Sequence, residues 1–234
     1  VETISLVELI EHAVSDPHQK NWTGSLEHFD EMLRQENLAQ LEAAHRGAFA
    51  FLVFHPSADV HVAEYVRVGT LASDSGPRVL TFFTLDESAT VSQPSAVLAG
   101  GPADTAVHLS YEMTRRLFSP SVPPPLPGVI FIGQLSTDGD AVYVPLGDLQ
   151  DDSGVRERLR ILFSLADQAL ADDADPAEFT NRFSRKLIPL KIEYSRSGKA
   201  PLGEWLAKSY RRVVGHGWEL VTLVGGVLAG QQLT

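Results

Sequence analysis

The sequence predicts an α+β fold, a mixed sheet flanked by helices and followed by a mainly helical C-terminal part. Three observations carry that class: apolar residues recur at helical spacing in several segments, continuous apolar runs of the kind found in buried strands lie between them, and the texture becomes helical past Leu149. The 234 residues are 44 % hydrophobic and 21 % charged, which places the chain in the globular range, away from the composition of disordered segments.

Ser5-Leu6-Val7-Glu8 has the form of a capping box, and Leu6, Leu9, Ile10 and Ala13 follow at helical spacing until Asp16-Pro17. A short first helix is expected there. A second, long and bent helix is expected from Ser25: Leu26, Phe29 and Leu33 keep the period, Glu36-Asn37 slips it, and Leu38, Leu41 and Ala44 resume it before Gly47. Residues 48–54 are continuously apolar, aromatic and partly β-branched, as a strand buried on both faces is, and His55-Pro56 ends the run. Val60, Val62, Tyr65, Val66 and Val68 read as a second strand with one irregularity. Residues 79–85 read as a third, behind the Ser75-Gly76-Pro77 turn.

Residues 102–118 read as a helix with Asp104 at its N-cap and Ala106, Val107, Met113 and Leu117 turned to the core. Five prolines then fall within residues 119–127. They are expected to form a stiff, polyproline-like strut that crosses from helix to strand inside one domain. Residues 129–135 and 141–144 form a strand pair through a loop in which Asp138 and Asp140 flank Gly139. That loop resembles a calcium site only in part, because the later glutamate of an EF-hand is missing, and it reads as a hairpin turn.

Val155, Leu159, Leu162, Ala166 and Ala169 recur at four, three, four and three, an amphipathic helix opened by Asp151-Asp152-Ser153. Asp175-Pro176-Ala177-Glu178 opens the next helix and Pro189 closes it. Residues 190–194 alternate like an edge strand, and residues 204–214 are helical again. The boundary falls near Gln150, between an acidic α+β domain of residues 1–150 and a mainly helical part, residues 151–234, packed on it. Residues 151–234 hold 12 Lys and Arg against 11 Asp and Glu, which leaves 7 against 19 before them. The net charges are therefore +1 and −12.

Zero cysteines exclude a disulfide framework, a thiolate zinc site and a cysteine nucleophile together. The phosphate-cradling, dinucleotide-binding and serine-elbow motifs are absent too. His55, Asp59, His61 and Glu64 fall within ten residues and are the candidates for acid–base or metal chemistry. On a strand, however, Asp59 and His61 share a face that Glu64 does not, so a solvated turn is the better reading and neither metal nor cofactor is expected. His216, set between two glycines, is either a catalytic histidine on a mobile turn or the cap of a helix end.

Residues 185–212 contain eight basic and two acidic residues with Tyr194, Trp205 and Tyr210 among them. Lys191, Lys199, Trp205, Lys208, Arg211 and Arg212 are the candidate binding residues of that stretch. Basic and aromatic residues together suit a single-stranded nucleic acid, but the acidic first part disfavours it, and a face that docks on protein is expected instead.

Residues 77–89, Pro-Arg-Val-Leu-Thr-Phe-Phe-Thr-Leu-Asp-Glu-Ser-Ala, stand after an N-terminal helix and a strand and before a helix and a Pro-Gly-Val-Ile strand. In this arrangement residues 5–149 resemble the N-terminal domain of SseB-type bacterial proteins. The resemblance implies a non-catalytic cytoplasmic module and supplies no catalytic residue.

The expectation is a bacterial cytoplasmic accessory or protein-interaction protein, whose partner is another protein or a second copy of the chain. Its rivals are a hydrolase-type enzyme around residues 55–64, metal-dependent or using histidine and carboxylate, and a nucleic-acid binder through residues 185–212. No membrane span is expected, since the longest apolar stretch, residues 213–229, carries His216, Glu219 and several glycines.

Overall fold

In a computed structural model of the chain, the described residues are 42–43, 47–76, 78–83, 90–92, 106–118, 124–135, 139–147, 149, 151–170 and 175–197. The expected first helix and the expected helix at 204–214 lie outside them. Of the expected long second helix, Glu42 and Ala43 are described and are helical.

In chain order the elements are strand β1 (Ala48–Val53), helices α1 (Val60–Arg67) and α2 (Leu71–Ser75), and strands β2 (Val79–Phe82), β3 (Thr90–Ser92) and β4 (Ala106–His108). Helix α3 (Leu109–Leu117), strands β5 (Gly128–Ile132) and β6 (Ala141–Pro145), helices α4 (Asp152–Ala169) and α5 (Phe179–Leu187) and strand β7 (Ser195–Arg196) follow. Five strands form one mixed sheet in the order β2-β1-β5-β6-β7, and β3 pairs with β4 separately. The fold is α+β.

Strand β1 runs parallel to β2, Ala48 facing Val79, and antiparallel to β5, Phe51 facing Ile130. A parallel pair needs a crossover, and α1 and α2 supply it. The segment that reads as a second strand is therefore a helix. Its buried residues are Val62, Ala63, Tyr65 and Val66, a helical face, while Val60 and Val68 are exposed. The β-branched composition hid that spacing, because β-propensity gives way to tertiary context.

Two further expectations change. Ala106 and Val107 belong to β4, which pairs with β3, and not to a helix capped by Asp104. Helix α3 starts later, with His108 as N-cap accepting a hydrogen bond at Nδ1 from the Ser110 amide at 3.3 Å. The pairing that extends residues 106–108 comes from residues 90–92, too remote for local spacing to reveal. Residues 190–194 are not an edge strand either. Ile188–Leu190 is a 3₁₀ turn, Lys191 takes a left-handed φ of 53°, and ladder pairing begins only at Ser195. Pro189 has no amide to give a ladder.

One face of the sheet, with Ala48, Ala50, Leu52, Val129, Phe131, Val142 and Val144, is covered by α1, α2, α4 and α5. Phe131 meets Phe163 of α4 and Phe183 of α5 at ring separations of 6.1 Å and 4.5 Å. Burying each such ring stabilises by about 1.5–3 kcal/mol, so α4 and α5 complete the core of the sheet and are no appendage to it. Helix α4 starts at the expected cap, Asp151 accepting from the Gly154 amide at 2.6 Å, while Asp175, accepting from the Ala177 amide at 3.0 Å, caps a 3₁₀ turn (Pro176–Glu178) that leads into α5.

The opposite face carries Phe49, Phe51, Phe82, Ile130, Ile132 and Tyr143, with Phe51 stacked on Phe82 at 4.9 Å. Helix α3 packs against β1, and Phe118 at its end lies 5.6 Å from the Tyr143 ring. The Tyr143 hydroxyl donates to the Pro125 carbonyl, and a Cβ at Gly128 would collide with that tyrosine ring. Residues 119–123 of the proline run lie outside the described residues, and residues 124–127 lead directly into β5.

Candidate functional site

The chain leaves β1 through His55-Pro56-Ser57-Ala58-Asp59 and enters α1. Asp59 folds back on the turn: its Oδ2 accepts from the His55 amide at 2.7 Å, while its own amide donates to the His55 carbonyl at 2.8 Å. Ser57 Oγ lies 3.0 Å from His55 Nδ1, and the His55 ring sits 4.7 Å from that of His108. In the first turn of α1, His61 Nδ1 meets Asp152 Oδ1 at 3.0 Å, and further along Glu64 pairs with Arg67 at 3.8 Å. The four candidates His55, Asp59, His61 and Glu64 therefore serve three separate contacts. A helix advances each side chain by about 100°, where the strand read from the sequence would have alternated them. Among the described residues no three His, Cys, Asp or Glu side chains are placed to hold a metal ion.

Asp140, from the connection between β5 and β6, accepts from Thr180 Oγ1 at 2.9 Å and from Arg196. Burial alone would raise its carboxyl pKa, but the hydrogen bonds from Arg196 and Thr180, with the Arg196 charge, outweigh that and hold it below the ordinary aspartate value. Asp138, Lys199, Trp205, Lys208, Arg211, Arg212 and His216 lie outside the described residues.

Lys191 closes the 3₁₀ turn Ile188–Leu190 in a left-handed conformation. Leu187 and Ile192 are buried on either side of the turn, and the Lys191 and Ile192 amides close it by donating to the Ile188 and Leu187 carbonyls at 3.0 Å and 3.2 Å. Pinned at both ends, the turn pushes Ile188 and Leu190 outward, 59 % and 53 % exposed. Arg185 and Lys186 occupy the last turn of α5 beside them. The alternation of residues 190–194 reads as a strand, but the proline at 189 is the signal for a turn.

An open groove of about 820 Å³ lies between α2 and α4. On its lining the Asp74 side chain is 5 % exposed. It accepts from the Tyr65 hydroxyl at 3.0 Å and from Arg156 in a fork, Nε to Oδ2 at 2.9 Å and a terminal nitrogen to Oδ1 at 3.3 Å. Arg160 approaches Oδ1 with its Nε at 3.5 Å. Burial first, then the Asp74 charge and hydrogen bond, push the Tyr65 hydroxyl pKa up. Ile161 is on the lining, 39 % exposed. The sequence held one hint of this groove: Ile161 falls off the four-and-three spacing of Val155, Leu159 and Leu162, so it must face away from the core.

Among the described residues no helix is long and apolar enough to cross a membrane. No family model matches the chain, and comparisons with curated proteins and with solved structures give no match either.

Proposed function

We propose that this chain is a non-catalytic protein-interaction module of the bacterial cytoplasm, and that the turn at Ile188–Leu190 with its basic flanks meets the partner. The observation that carries this reading is the exposure of two aliphatic side chains, Ile188 and Leu190, on a backbone held rigid between buried neighbours. Exposed single aliphatics are ordinary, but a pair fixed in one geometry loses little entropy on docking. Each would stabilise a complex by about 1.5–3 kcal/mol on entering an apolar pocket. Arg185, Lys186 and Lys191 favour an acidic rim around that pocket and speed the encounter. The left-handed Lys191 maintains the shape of the turn at a conformational cost of about 1 kcal/mol.

Two further observations support the reading. Residues 5–149 resemble SseB-type domains, which implies a non-catalytic role. His55 and Asp59 meet each other in one turn while His61 and Glu64 pair elsewhere, so the four are not gathered around one point.

The test compares the wild type with the double variant Ile188→Asp/Leu190→Asp as baits in quantitative affinity capture from native cells, alongside sedimentation of each protein. Both side chains are exposed, so thermal unfolding should stay within a few degrees of wild type. A partner, or a second copy of the chain, that binds wild type and falls at least tenfold with the variant is expected. Equal capture by both baits, or a wild type that sediments as a monomer and captures nothing, would overturn the proposal.

A further inference from the structure

We infer that the contact between His55 and His108 is a pH-sensitive latch, which holds α3 on the sheet at neutral pH and releases it when the His108 ring takes up a second proton. The latch is independent of the turn at Ile188.

His108 is the last residue of β4 and also the N-cap of α3, where its Nδ1 accepts from the Ser110 amide at 3.3 Å. A ring nitrogen that accepts carries no proton, so this imidazole is neutral with its proton on Nε2. His108 and Ser110 are both buried, and water cannot stand in for the acceptor once it is lost. The His55 ring, from the turn after β1, lies 4.7 Å from the His108 ring.

A proton on His108 Nδ1 acts in three ways, all in one direction. It turns the acceptor into a donor that faces another donor, the Ser110 amide. It sets a positive charge at a helix N-terminus, where the aligned backbone dipoles favour a negative one. It also stands beside a second imidazole, and two charged rings at that distance repel.

The other charges around the ring do not offset this. Among the described residues α3 packs on β1, β3 and β4, of which β1 and β3 carry no titratable side chain and β4 carries only His108. Asp59 is the carboxylate of the turn that bears His55, and its Oδ2 accepts from the His55 amide. The titratable positions of α3 itself are Tyr111, Glu112, Arg115 and Arg116. Two arginines against Asp59 and Glu112 leave no net negative charge to hold the proton.

In the unfolded chain a histidine binds this proton at about pH 6.5. In the fold His108 binds it only by giving up the cap. The attachment of α3 is therefore complete above that pH and weakens as pH falls through it. Because α3 packs on β1 over the aromatic face of the sheet, its release uncovers apolar surface.

The experiment measures hydrogen exchange of the α3 amides of residues 113–117 in the whole protein at pH 7.5 and pH 5.5, each rate divided by the intrinsic rate at that pH. Wild-type protection should fall about tenfold over the interval, the factor for one proton bound on opening. His108→Asn keeps a capping acceptor that does not titrate, so its protection should change by less than about twofold. Nitrogen-15 NMR of the wild-type ring is a second check that needs no variant: at pH 7.5 His108 should show a bare Nδ1 and a protonated Nε2. Equal wild-type protection at the two pH values would overturn the inference. So would a fall in His108→Asn as large as in wild type, or a proton found on Nδ1 at pH 7.5.

Discussion

Asp74 and Asp140 are both carboxylates from the acidic residues 1–150, and each holds arginine supplied from beyond Gln150, yet the two are built differently. Asp74 is almost fully buried, with the Tyr65 hydroxyl and two arginines of α4 around it, and it ties α2 to α4 across 82 residues of chain. Asp140 is about a quarter exposed, holds one arginine and the Thr180 hydroxyl, and ties the β5–β6 connection to α5 and β7. Arg196 is shared there with Asn181 at 2.9 Å. The same contrast of charge across the chain has thus produced a buried link and a half-open one. Burial decides what each is worth, because a hydrogen bond sheltered from water has no solvent substitute when it is broken.

The largest difference is expected on removing the two carboxylates. Asp74→Ala leaves the buried Tyr65 hydroxyl without its acceptor, whereas the arginines, half exposed, return to water. The cost is about 1–3 kcal/mol. Asp74→Asn should recover part of it, since an amide oxygen still accepts from Tyr65. Asp140→Ala should cost roughly 1 kcal/mol: Arg196, 36 % exposed, returns to water, and the lost partner of consequence is the buried Thr180 hydroxyl. Urea denaturation of the three variants decides the matter, and equal losses at the two sites would show that burial is not what separates them.

The two sites should also fail at opposite ends of the pH scale. Tyr65 has its hydroxyl pKa raised by burial and then by Asp74, so the stability it lends is complete below about pH 10, the ordinary tyrosine value, and is lost as pH rises toward the higher folded value. Tyr143, raised by burial and by the Asp59 charge, adds to the same alkaline loss. Asp140 has its pKa lowered, so its contribution is present above about pH 4 and is lost as pH falls through the lower folded value. Tyr65→Phe should therefore flatten part of the alkaline limb of a stability profile and leave the acid limb unchanged. Asp140→Asn should do the reverse. A profile in which each variant moved both limbs would mean that the two links are coupled through α4 and α5.

The smallest effect is expected at His61, whose pairing with Asp152 is exposed on both sides. His61→Ala should cost no more than about 0.5 kcal/mol, as exposed pairs do. A loss as large as that of Asp74→Ala would give this histidine a role that its geometry does not show.

Much of the fold was legible because it is local. The continuous run of β1, the pair β5 and β6, the stripe of α4 and the caps at Asp151 and Asp175 each depend on residues within a few positions of one another. Spacing and capping act at that range, so these elements could be read from the chain alone. The conversion of Val60–Arg67 from an apparent strand to a helix, the strand at Ala106–His108 and the turn at Ile188–Leu190 could not. The first answers the need of two parallel strands for a crossover, the second needs residues 90–92 as a partner, and the third is set by the burial of Leu187 and Ile192. The groove stands furthest from the sequence. Its charges are 82 residues apart, and nothing in the neighbourhood of Asp74 or of Arg156 names the other, because ion pairing depends on distance in space and only packing of α2 on α4 brings them within 3 Å.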